Sequence, residues 1–261
     1  MVGQPDTLKA LQEEWKSIIQ FQHFRSLSST QSVVWEQAKA IQGSLPFLLI
    51  DTDAQTDGHG QVGTVWESEA GKNLLFSLWC APTFLSADKQ FLLSECCALA
   101  VVKAFEPYMA CTVKWPNDIY YQDKKICGML IDHKVMGGSL CETAMGIGIN
   151  INQSLFRGTS PNPVSLRQII GHEIDRYQVL RLFLCHFMSY YSLLKSEHYG
   201  AIHEEYKSHL YRRQGLHLFA DTSETVFRAR IADIQMNGRI VLEDECKELR
   251  EYAFKEIRYV I

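Results

Sequence analysis

Residues 112–151 have the sequence TVKWPNDIYYQDKKICGMLIDHKVMGGSLCETAMGIGINI, and they indicate the type of fold most clearly. It contains four short segments rich in β-branched and aromatic residues, separated by turn residues such as Gln122-Asp123-Lys124 and Gly137-Gly138. This pattern predicts four neighbouring, largely antiparallel strands. The predicted strands are at 112–115, 119–122, 127–135 and 140–151. A sheet of this kind has an apolar face that helices elsewhere in the chain must cover.

Before this stretch, capping residues, apolar periodicity and Pro or Gly stops indicate alternating helices and strands. The predicted elements are a helix at 7–20, a helix at 31–39 capped by Ser28 to Thr30, strands at 47–52 and 73–80, and a helix at 86–105. Between the two strands, residues 53–70 are polar and rich in glycine. A loop of this length inside a domain is usually functional or disordered, and its glycines favour a ligand-binding loop.

After residue 151 the pattern changes twice. Residues 175–209 have the apolar face of a long helical region, with Leu180 and Phe187 on that face. Residues 216–261 then alternate in the manner of strands, with a turn at Asn237-Gly238, which is typical of a small barrel or sandwich. We therefore expect an α+β chain with a main domain at 1–212 and a small β domain at 213–261.

Composition excludes several classes of protein. The chain has 261 residues, of which 46% are hydrophobic, a formal net charge of −4 and a pI of about 6.1. An acidic chain of this kind does not favour a phosphate backbone, so we expect no nucleic-acid partner. No segment reaches the roughly 18 apolar residues of a membrane helix, and the start of the chain has no signal-peptide pattern. We expect a cytoplasmic protein with no membrane contact.

The cysteines and histidines give no metal-binding pattern. The eight cysteines lie mostly in apolar segments and no pair has C-x-x-C spacing, so we expect buried free thiols. His198, His203 and His209 lie near two glutamates, but their spacing does not keep them on one helical face. We expect these three histidines to lie on a solvated helix surface.

The glycine-rich loop contains Gly58-His59-Gly60-Gln61-Val62-Gly63, which matches G-x-G-x-x-G. A dinucleotide-binding fingerprint requires a helix that opens at the last glycine, and the following residues, 64–71, are loop-like. A Walker-type phosphate loop, a G-x-S-x-G serine elbow and an H-E-x-x-H zinc motif are also absent from the sequence. What remains is that these glycines allow backbone N–H groups to approach an anion closely.

The string Lys114-Trp115-Pro116-Asn117-Asp118-Ile119, followed by Lys125 and by Gly128-Met129-Leu130-Ile131, resembles the most diagnostic segment of biotin–protein ligases. Three further segments occur in the order and spacing of that family: Ser28 to Gln31, the glycine loop from Gln55 to Trp66, and Gly146 to Asn150. The resemblance covers the chain from about residue 21 onward. It implies a mixed, mostly antiparallel sheet flanked by helices, related to class II aminoacyl-tRNA synthetases, with a small C-terminal SH3-like barrel.

The resemblance also implies a reaction. Such an enzyme makes biotinyl-5′-AMP from biotin and ATP with magnesium, and then transfers the biotin to a lysine of the biotin carboxyl carrier protein of an acyl-CoA carboxylase. Two alternatives stay open: a lipoate–protein ligase of the same fold, and a non-catalytic module that binds biotin or the carrier. Whether two copies pair through their sheet edges also stays open.

Residue by residue, the resemblance implies two sets of contacts. For biotin the set is Ser29, Thr30, Gln55, Gly58, His59, Lys114, Ile119, Gly128, Gly146 and Gly148. For the nucleotide it is Gly60, Gln61, Trp66, Asn117 and Asn150. Lys114 is the expected catalytic residue, because a carboxylate that approaches an anionic α-phosphate needs a fixed cation at the meeting point. No metal ligands are assigned, since magnesium would be carried by ATP.

The sequence departs from the family in the glycine loop, and it differs from some members of the family ahead of the first motif. In the family this loop usually has the form G-R-G-R-x-G, with arginines between and after its glycines. Here those places are taken by His59, Gln61 and Val62, so two positive charges are missing. With those positive charges missing, we expect the adenylate to escape more readily. Only about two dozen residues precede the first motif, too few for the DNA-reading helix-turn-helix module of some members, so we expect a monofunctional ligase.

Overall fold

The computed structural model describes residues 6–40, 45–58, 60, 65–158 and 162–261. The helices are α1 Asp6–Trp15, α2 Thr30–Ala38, α3 Phe91–Phe105, α4 Leu166–Ile170, α5 Arg176–Lys195 and α6 Tyr199–Ser208. The strands of the first sheet are β1 Ile19–Phe24, β2 Phe47–Thr52, β3 Leu74–Cys80, β4 Thr112–Lys114, β5 Asp118–Tyr121, β6 Lys124–Met136 and β7 Ser139–Ile149. Those of the second sheet are β8 His217–Asp221, β9 Val226–Ile234, β10 Ile240–Asp244, β11 Leu249–Tyr252 and β12 Ile257–Tyr259.

The first sheet has seven strands in the order β1-β2-β3-β7-β6-β5-β4. Strands β1 and β2 are parallel and the other neighbours are antiparallel. The second sheet has five antiparallel strands in the order β11-β10-β9-β8-β12. This architecture confirms the expected α+β fold with a small C-terminal β unit. The division at residues 212 and 213 stays a prediction.

Helices cover both faces of the first sheet, as the burial of β2 demonstrates. All six residues of β2 are buried. Phe47 and Leu49 belong to the large core under the face covered by α3 and α5, whereas Leu48 and Ile50 belong to a smaller core with α2. A strand covered on both faces is apolar throughout rather than alternating, which is why residues 47–50 form a continuous apolar run.

Two predicted helical elements differ from the structure, and one short helix was not predicted. The helix predicted at 7–20 ends at Trp15, and Ile19 begins β1, because residues 19–24 pair with β2. The helical region predicted at 175–209 is two helices, since Glu197 has a φ of 61° and turns α6 back onto α3. The short helix α4 was not predicted.

The expectation of a solvated surface for the three histidines was wrong for His203. Its side chain is buried because α6 packs on α3, where His203 Nδ1 lies 2.7 Å from Glu95 Oε1. Its Nε2 lies 2.8 Å from the carbonyl oxygen of Ile234 in β9, so the pair links both helices to the second sheet.

All eight cysteines are free; those at positions 80, 96, 97, 111 and 127 are buried, whereas Cys185 and Cys246 are exposed.

Across the described ranges, no helix is both long enough and apolar enough to cross a membrane.

Candidate active site

A cavity of about 410 Å³ lies over the β6–β7 face of the first sheet and reaches the second sheet. Many of the residues implied by the sequence line it. These are Ser29, Thr30, Gln55, Gly60, Trp66, Lys114, Asn117, Gly128, Gly146 and Gly148. The cavity therefore brings together four segments that are far apart along the chain.

Cross-strand register explains how those segments meet. Ser77 of β3 pairs with Gly146 of β7, and the next inward-facing residue of β7, Gly148, pairs with Gly128 of β6. Gly128 pairs in turn with Asp118 of β5, and Asp118 pairs with Lys114 of β4. Five adjacent strands span roughly 19 Å at the usual strand spacing. The cavity floor is thus long enough for a small acyl group joined to a nucleotide.

The β3 end of the cavity, which we call the neutral end, is lined by Ser29, Thr30, Gln31 and Gln55, and it includes the buried Ser77 beneath them. Thr30 donates to Gln55 Oε1 from its backbone N–H at 2.8 Å and from its hydroxyl at 3.2 Å. The buried Ser77 hydroxyl lies 2.9 Å from Thr30 Oγ1 and 3.1 Å from Gln31 Oε1. Ser29 is the N-cap of α2, but its side chain makes no capping hydrogen bond. The neutral end is therefore largely satisfied internally, with Ser29 available to a ligand.

Three glycines allow side chains to lie flat on the floor. A Cβ built on Gly146 would lie 2.7 Å from Gln31 Oε1, and one built on Gly148 would lie 2.6 Å from the Trp66 indole. A Cβ on Gly128 would lie 2.9 Å from the same ring. The indole thus rests directly on the backbone of β6 and β7. Only glycine permits this approach.

The β4–β5 end, which we call the charged end, consists of Lys114, Asp118 and Lys125. Lys125 forms an ion pair with Asp118 at 2.7 Å and lies 5.7 Å from the centre of the Trp66 indole. Lys114 is half-buried, and within the described part of the chain no carboxylate lies within 4.0 Å of its ammonium. Its Nζ instead lies 5.1 Å from the ring centre of Tyr120 and 5.3 Å from that of Tyr259.

The pKa of Lys114 is lowered from its ordinary value. Burial is the largest cause, and the positive charges of Lys125 and Arg212 act in the same direction, while the carboxylate of Asp118 opposes them. A cation that is partly removed from water and lacks a close counter-ion gains from an anionic ligand. The charged end is therefore suited to hold a carboxylate or a phosphate.

The turn between β4 and β5 holds Lys114 in place. Trp115 Nε1 donates to the carbonyl oxygen of Gly238 in the second sheet unit at 2.9 Å. Tyr206 of α6 donates to the carbonyl oxygen of Pro116 at 3.1 Å, and the Asn117 amide donates to the carbonyl oxygen of Met129. These bonds tie the turn to the second sheet unit, to α6 and to β6, and the side chains of Trp115 and Asn117 supply two of them.

Several residues that the resemblance implies for the site do not line the cavity or lie outside the described residues. Ile119 is fully buried in the main core, so its side chain does not line the cavity. Gly58 lies next to Gln55, which lines the cavity, and a Cβ built on Gly58 would lie 3.1 Å from the Gln55 amide nitrogen. Asn150 is buried past the end of β7, and its Oδ1 has no hydrogen-bond partner among the described residues. His59 and Gln61 lie outside the described residues.

Other lining or bracing residues were not implied by the sequence. Three of them, Gln31, Asp118 and Lys125, belong to the motifs that resemble the family, but the resemblance gave them no role. Their position in those motifs is the sequence feature that could have indicated them. The second sheet unit contributes another group of cavity residues without any motif. These are Phe254, Lys255, Ile257, Arg258 and Tyr259.

Comparison with known proteins identifies the family. The model of the biotin/lipoate A/B protein ligase family matches residues 23–150. The chain is 30% identical over 230 residues to the bifunctional ligase/repressor BirA of Bacillus subtilis, covering 83% of this chain and 67% of that protein. The chain belongs to the biotin/lipoate A/B protein ligase family. It is also 25% identical over 224 residues to the biotin–[acetyl-CoA-carboxylase] ligase of Paracoccus denitrificans, covering 83% of this chain and 92% of that protein.

Solved structures of the family share the fold of this ligase. The biotin protein ligase of Aquifex aeolicus in complex with biotin and ATP has a TM-score of 0.75 at 22% identity, covering 92% of this chain and 99% of that one. The biotin protein ligase of Leishmania major in complex with biotin has a TM-score of 0.63 at 19% identity, covering 90% and 98%. The expectation of an enzyme of the biotin–protein ligase class is confirmed.

The family match at residues 23–150 includes both ends of the cavity of this ligase, but not the residues at 254–259. The part of the site contributed by the second sheet therefore lies outside the segment that defines the family here.

Proposed function

We propose that this ligase forms biotinyl-5′-AMP from biotin and ATP and transfers the biotin to a specific lysine of the biotin carboxyl carrier protein of an acyl-CoA carboxylase. The observation that carries the proposal is the Lys114 ammonium, which is half-buried, lacks a close carboxylate among the described residues and lies across the floor from the neutral end. An anion bound there is placed between a hydrogen-bonding pocket and a cation.

The neutral end supports biotin as the substrate. Its side chains are hydroxyls and amides, with both donor and acceptor groups on Ser29, Thr30 and Gln55. A ureido ring presents a carbonyl acceptor and two N–H donors, whereas the dithiolane ring of lipoate presents only weak sulfur acceptors. A site built to hydrogen-bond polar groups discriminates strongly against a ligand that lacks them.

In the first step, an oxygen of the biotin carboxylate attacks the α-phosphorus of ATP, and the bond to pyrophosphate breaks. Both reacting groups are anionic, so the Lys114 ammonium at their meeting point offsets their repulsion. A fixed charge that develops its full interaction only in the transition state accelerates the step rather than only tightening binding.

Buried polar atoms without partners support the nucleotide contacts. Asn150 Oδ1 and Trp66 Nε1 are both buried and lack hydrogen-bond partners among the described residues. Such atoms cost free energy unless a ligand or a water molecule pairs with them. We assign Trp66 to the adenine, and Gly60, Gln61, Asn117 and Asn150 to the remainder of the nucleotide.

Magnesium fits this site as an ion that arrives with the triphosphate. Among the described residues, no group of three or more His, Cys, Asp or Glu side chains is placed to hold a metal ion. Asp118 is the one carboxylate among the described residues that line the cavity. Magnesium in nucleotide sites is commonly held by one or two carboxylates together with substrate phosphates, so Asp118 would hold it and the ion would supply further positive charge on the phosphates.

In the second step, the deprotonated amine of the carrier lysine attacks the carbonyl carbon of the adenylate, and the bond to the AMP oxygen breaks. The amide forms and the attacking nitrogen loses its extra proton. Water must be excluded until the carrier arrives, because the adenylate is also open to hydrolysis.

The test is pyrophosphate release from ATP and magnesium with biotin, with lipoate and with neither, followed by transfer of labelled biotin to a purified biotin carboxyl carrier domain. Wild type is compared with Lys114→Ala and with Lys9→Ala, a matched loss of a lysine that pairs with Asp6 on the exposed face of α1. We expect release with biotin alone, loss of release in Lys114→Ala and wild-type release in Lys9→Ala. Release with lipoate would assign the chain to the lipoate ligases, and biotin binding without any release would make it a binding module.

A further inference from the structure

We propose that Tyr259, in the last strand of the second sheet, is a positioning residue that holds the Lys114 ammonium in the cavity, so that the C-terminal unit completes the active site. This inference rests on the proposed function of Lys114. The Lys114 Nζ lies between the rings of Tyr120, from β5 of the first sheet, and Tyr259, from β12 of the second, at 5.1 Å and 5.3 Å. Each sheet thus contributes one ring to the same cation.

The Tyr259 ring is itself held in position by the second sheet. Strand β12 pairs with β8 so that Tyr259 is opposite Phe219, and the two ring centres are 4.9 Å apart. Tyr211, which follows α6, lies 5.9 Å from the Tyr259 ring and 5.3 Å from the Tyr120 ring. Tyr211 therefore bridges the two rings that contact Lys114. The aromatic group is continuous from the core of the second sheet to the catalytic lysine.

The ring of Tyr259, and not its hydroxyl, accounts for the contact. The hydroxyl oxygen is buried and has no hydrogen-bond partner among the described residues. The face of an aromatic ring attracts a cation through its quadrupole within about 6 Å of the ring centre. Phenylalanine would keep this attraction, whereas an aliphatic side chain of similar size would remove it.

A flexible lysine needs such support. Its four-carbon side chain loses conformational entropy when it is held in one place. The charged groups that act on Lys114 are Asp118, which favours the protonated amine, and Lys125 and Arg212, which disfavour it together with burial. The two rings favour the ammonium without neutralising it, so its charge stays available to the substrate carboxylate and the phosphate.

The experiment measures Lys114 in the full-length protein, first without any substrate. Trace acetylation by acetic anhydride across a pH series, read at the Lys114 peptide by mass spectrometry, gives the midpoint at which this amine loses its proton. In Tyr259→Leu we expect the midpoint to move down by about 0.4 to 1.5 pH units, the equivalent of one lost cation–π contact. In Tyr259→Phe we expect the wild-type midpoint.

The second readout is pyrophosphate release with biotin and ATP. We expect kcat of Tyr259→Leu to fall by roughly twofold to thirtyfold, with smaller changes in the KM for either substrate, and Tyr259→Phe to restore kcat. The matched control is Phe219→Leu, which removes a ring that packs on Tyr259 in the same sheet and is not among the rings found over Lys114. We expect it to lower the melting temperature and to leave the Lys114 midpoint unchanged.

Three results would overturn the inference: a wild-type midpoint and kcat in Tyr259→Leu, equal losses in Tyr259→Phe, or the same shift of the midpoint in Phe219→Leu. If Tyr259→Leu does not fold, Tyr259→Met takes its place, because the flexible methionine fills a similar volume. The acetylation series needs no catalysis. A wild type that releases no pyrophosphate would therefore refute the proposed function while the series still tests the role of Tyr259.

Discussion

The neutral and charged ends of the cavity are built on opposite principles. At the neutral end, Ser77, Thr30 and Gln55 hydrogen-bond to one another before any ligand arrives. At the charged end, Lys114 lies between two rings without a close carboxylate among the described residues. The neutral end is preorganised by hydrogen bonds among its own side chains. The charged end lacks a negative charge close to Lys114, and an anionic ligand can supply one. Under the proposed function, this difference separates recognition of the neutral biotin ring from stabilisation of the charge that develops in the reaction.

The largest expected effect is at Lys114. Lys114→Ala removes the fixed cation, and loss of one group that stabilises transition-state charge typically lowers kcat by roughly 10²–10³-fold. Because the neutral end is intact, we expect the Kd for biotin, measured by calorimetry, to rise by less than about tenfold on the scale of one lost exposed contact. If biotin binding weakens as much as kcat falls, Lys114 serves recognition and the two ends do not differ in this way.

A pair of glycines sharpens the comparison further. Gly148→Ala would bring a Cβ to 2.6 Å from the rigid Trp66 indole, whereas Gly146→Ala would bring one to 2.7 Å from the flexible Gln31 amide. Overpacking against a rigid group costs about 1–3 kcal/mol. We expect Gly148→Ala to raise the KM for ATP by roughly 5- to 150-fold, and Gly146→Ala to change it much less. Equal effects of the two variants would mean that Trp66 moves as freely as Gln31.

A smaller effect is expected at the neutral end. Thr30→Val removes the hydroxyl between Ser77 and Gln55, and a typical hydrogen bond contributes about 0.5–1.5 kcal/mol net. We expect the KM for biotin to rise by roughly 2- to 12-fold with kcat nearly unchanged. The matched control is Thr112→Val, since the buried Thr112 hydroxyl has no hydrogen-bond partner among the described residues. A fall in kcat in place of a rise in KM would contradict the assignment of this end to recognition.

The smallest expected effect concerns the glycine loop. Gln61→Arg adds the positive charge that the pattern G-R-G-R-x-G would place at this position, and an added charge of this kind is worth up to about 1 kcal/mol. We expect the rate at which biotinyl-5′-AMP leaves the enzyme, followed by rapid gel filtration, to fall by up to roughly fivefold. Gln61→Lys tests whether charge alone is sufficient. A wild type that already releases the adenylate as slowly as Gln61→Arg would refute the expectation.

Local patterns predicted much of the fold. The strands β2 to β7 and the helices α2 and α3 were predicted, because each has its own apolar periodicity, caps and turns. Strand β1 was missed and its first two residues were assigned to a helix, since only the parallel pairing with β2 makes residues 19–24 a strand. The break at Glu197 was missed for a similar reason: it depends on α6 packing against α3.

The sequence alone indicated the family and the class of chemistry and predicted Lys114 as the catalytic residue, because each rests on short contiguous motifs. Tertiary structure alone decided which atoms of those motifs meet. Ser77 lies 47 positions from Thr30, and the Trp66 indole rests on Gly148 only because β6 and β7 lie side by side. Tertiary structure also decided that Tyr259 lies beside Lys114. A cation–π contact between two sheets depends on how the sheets pack, and no sequence motif indicates it.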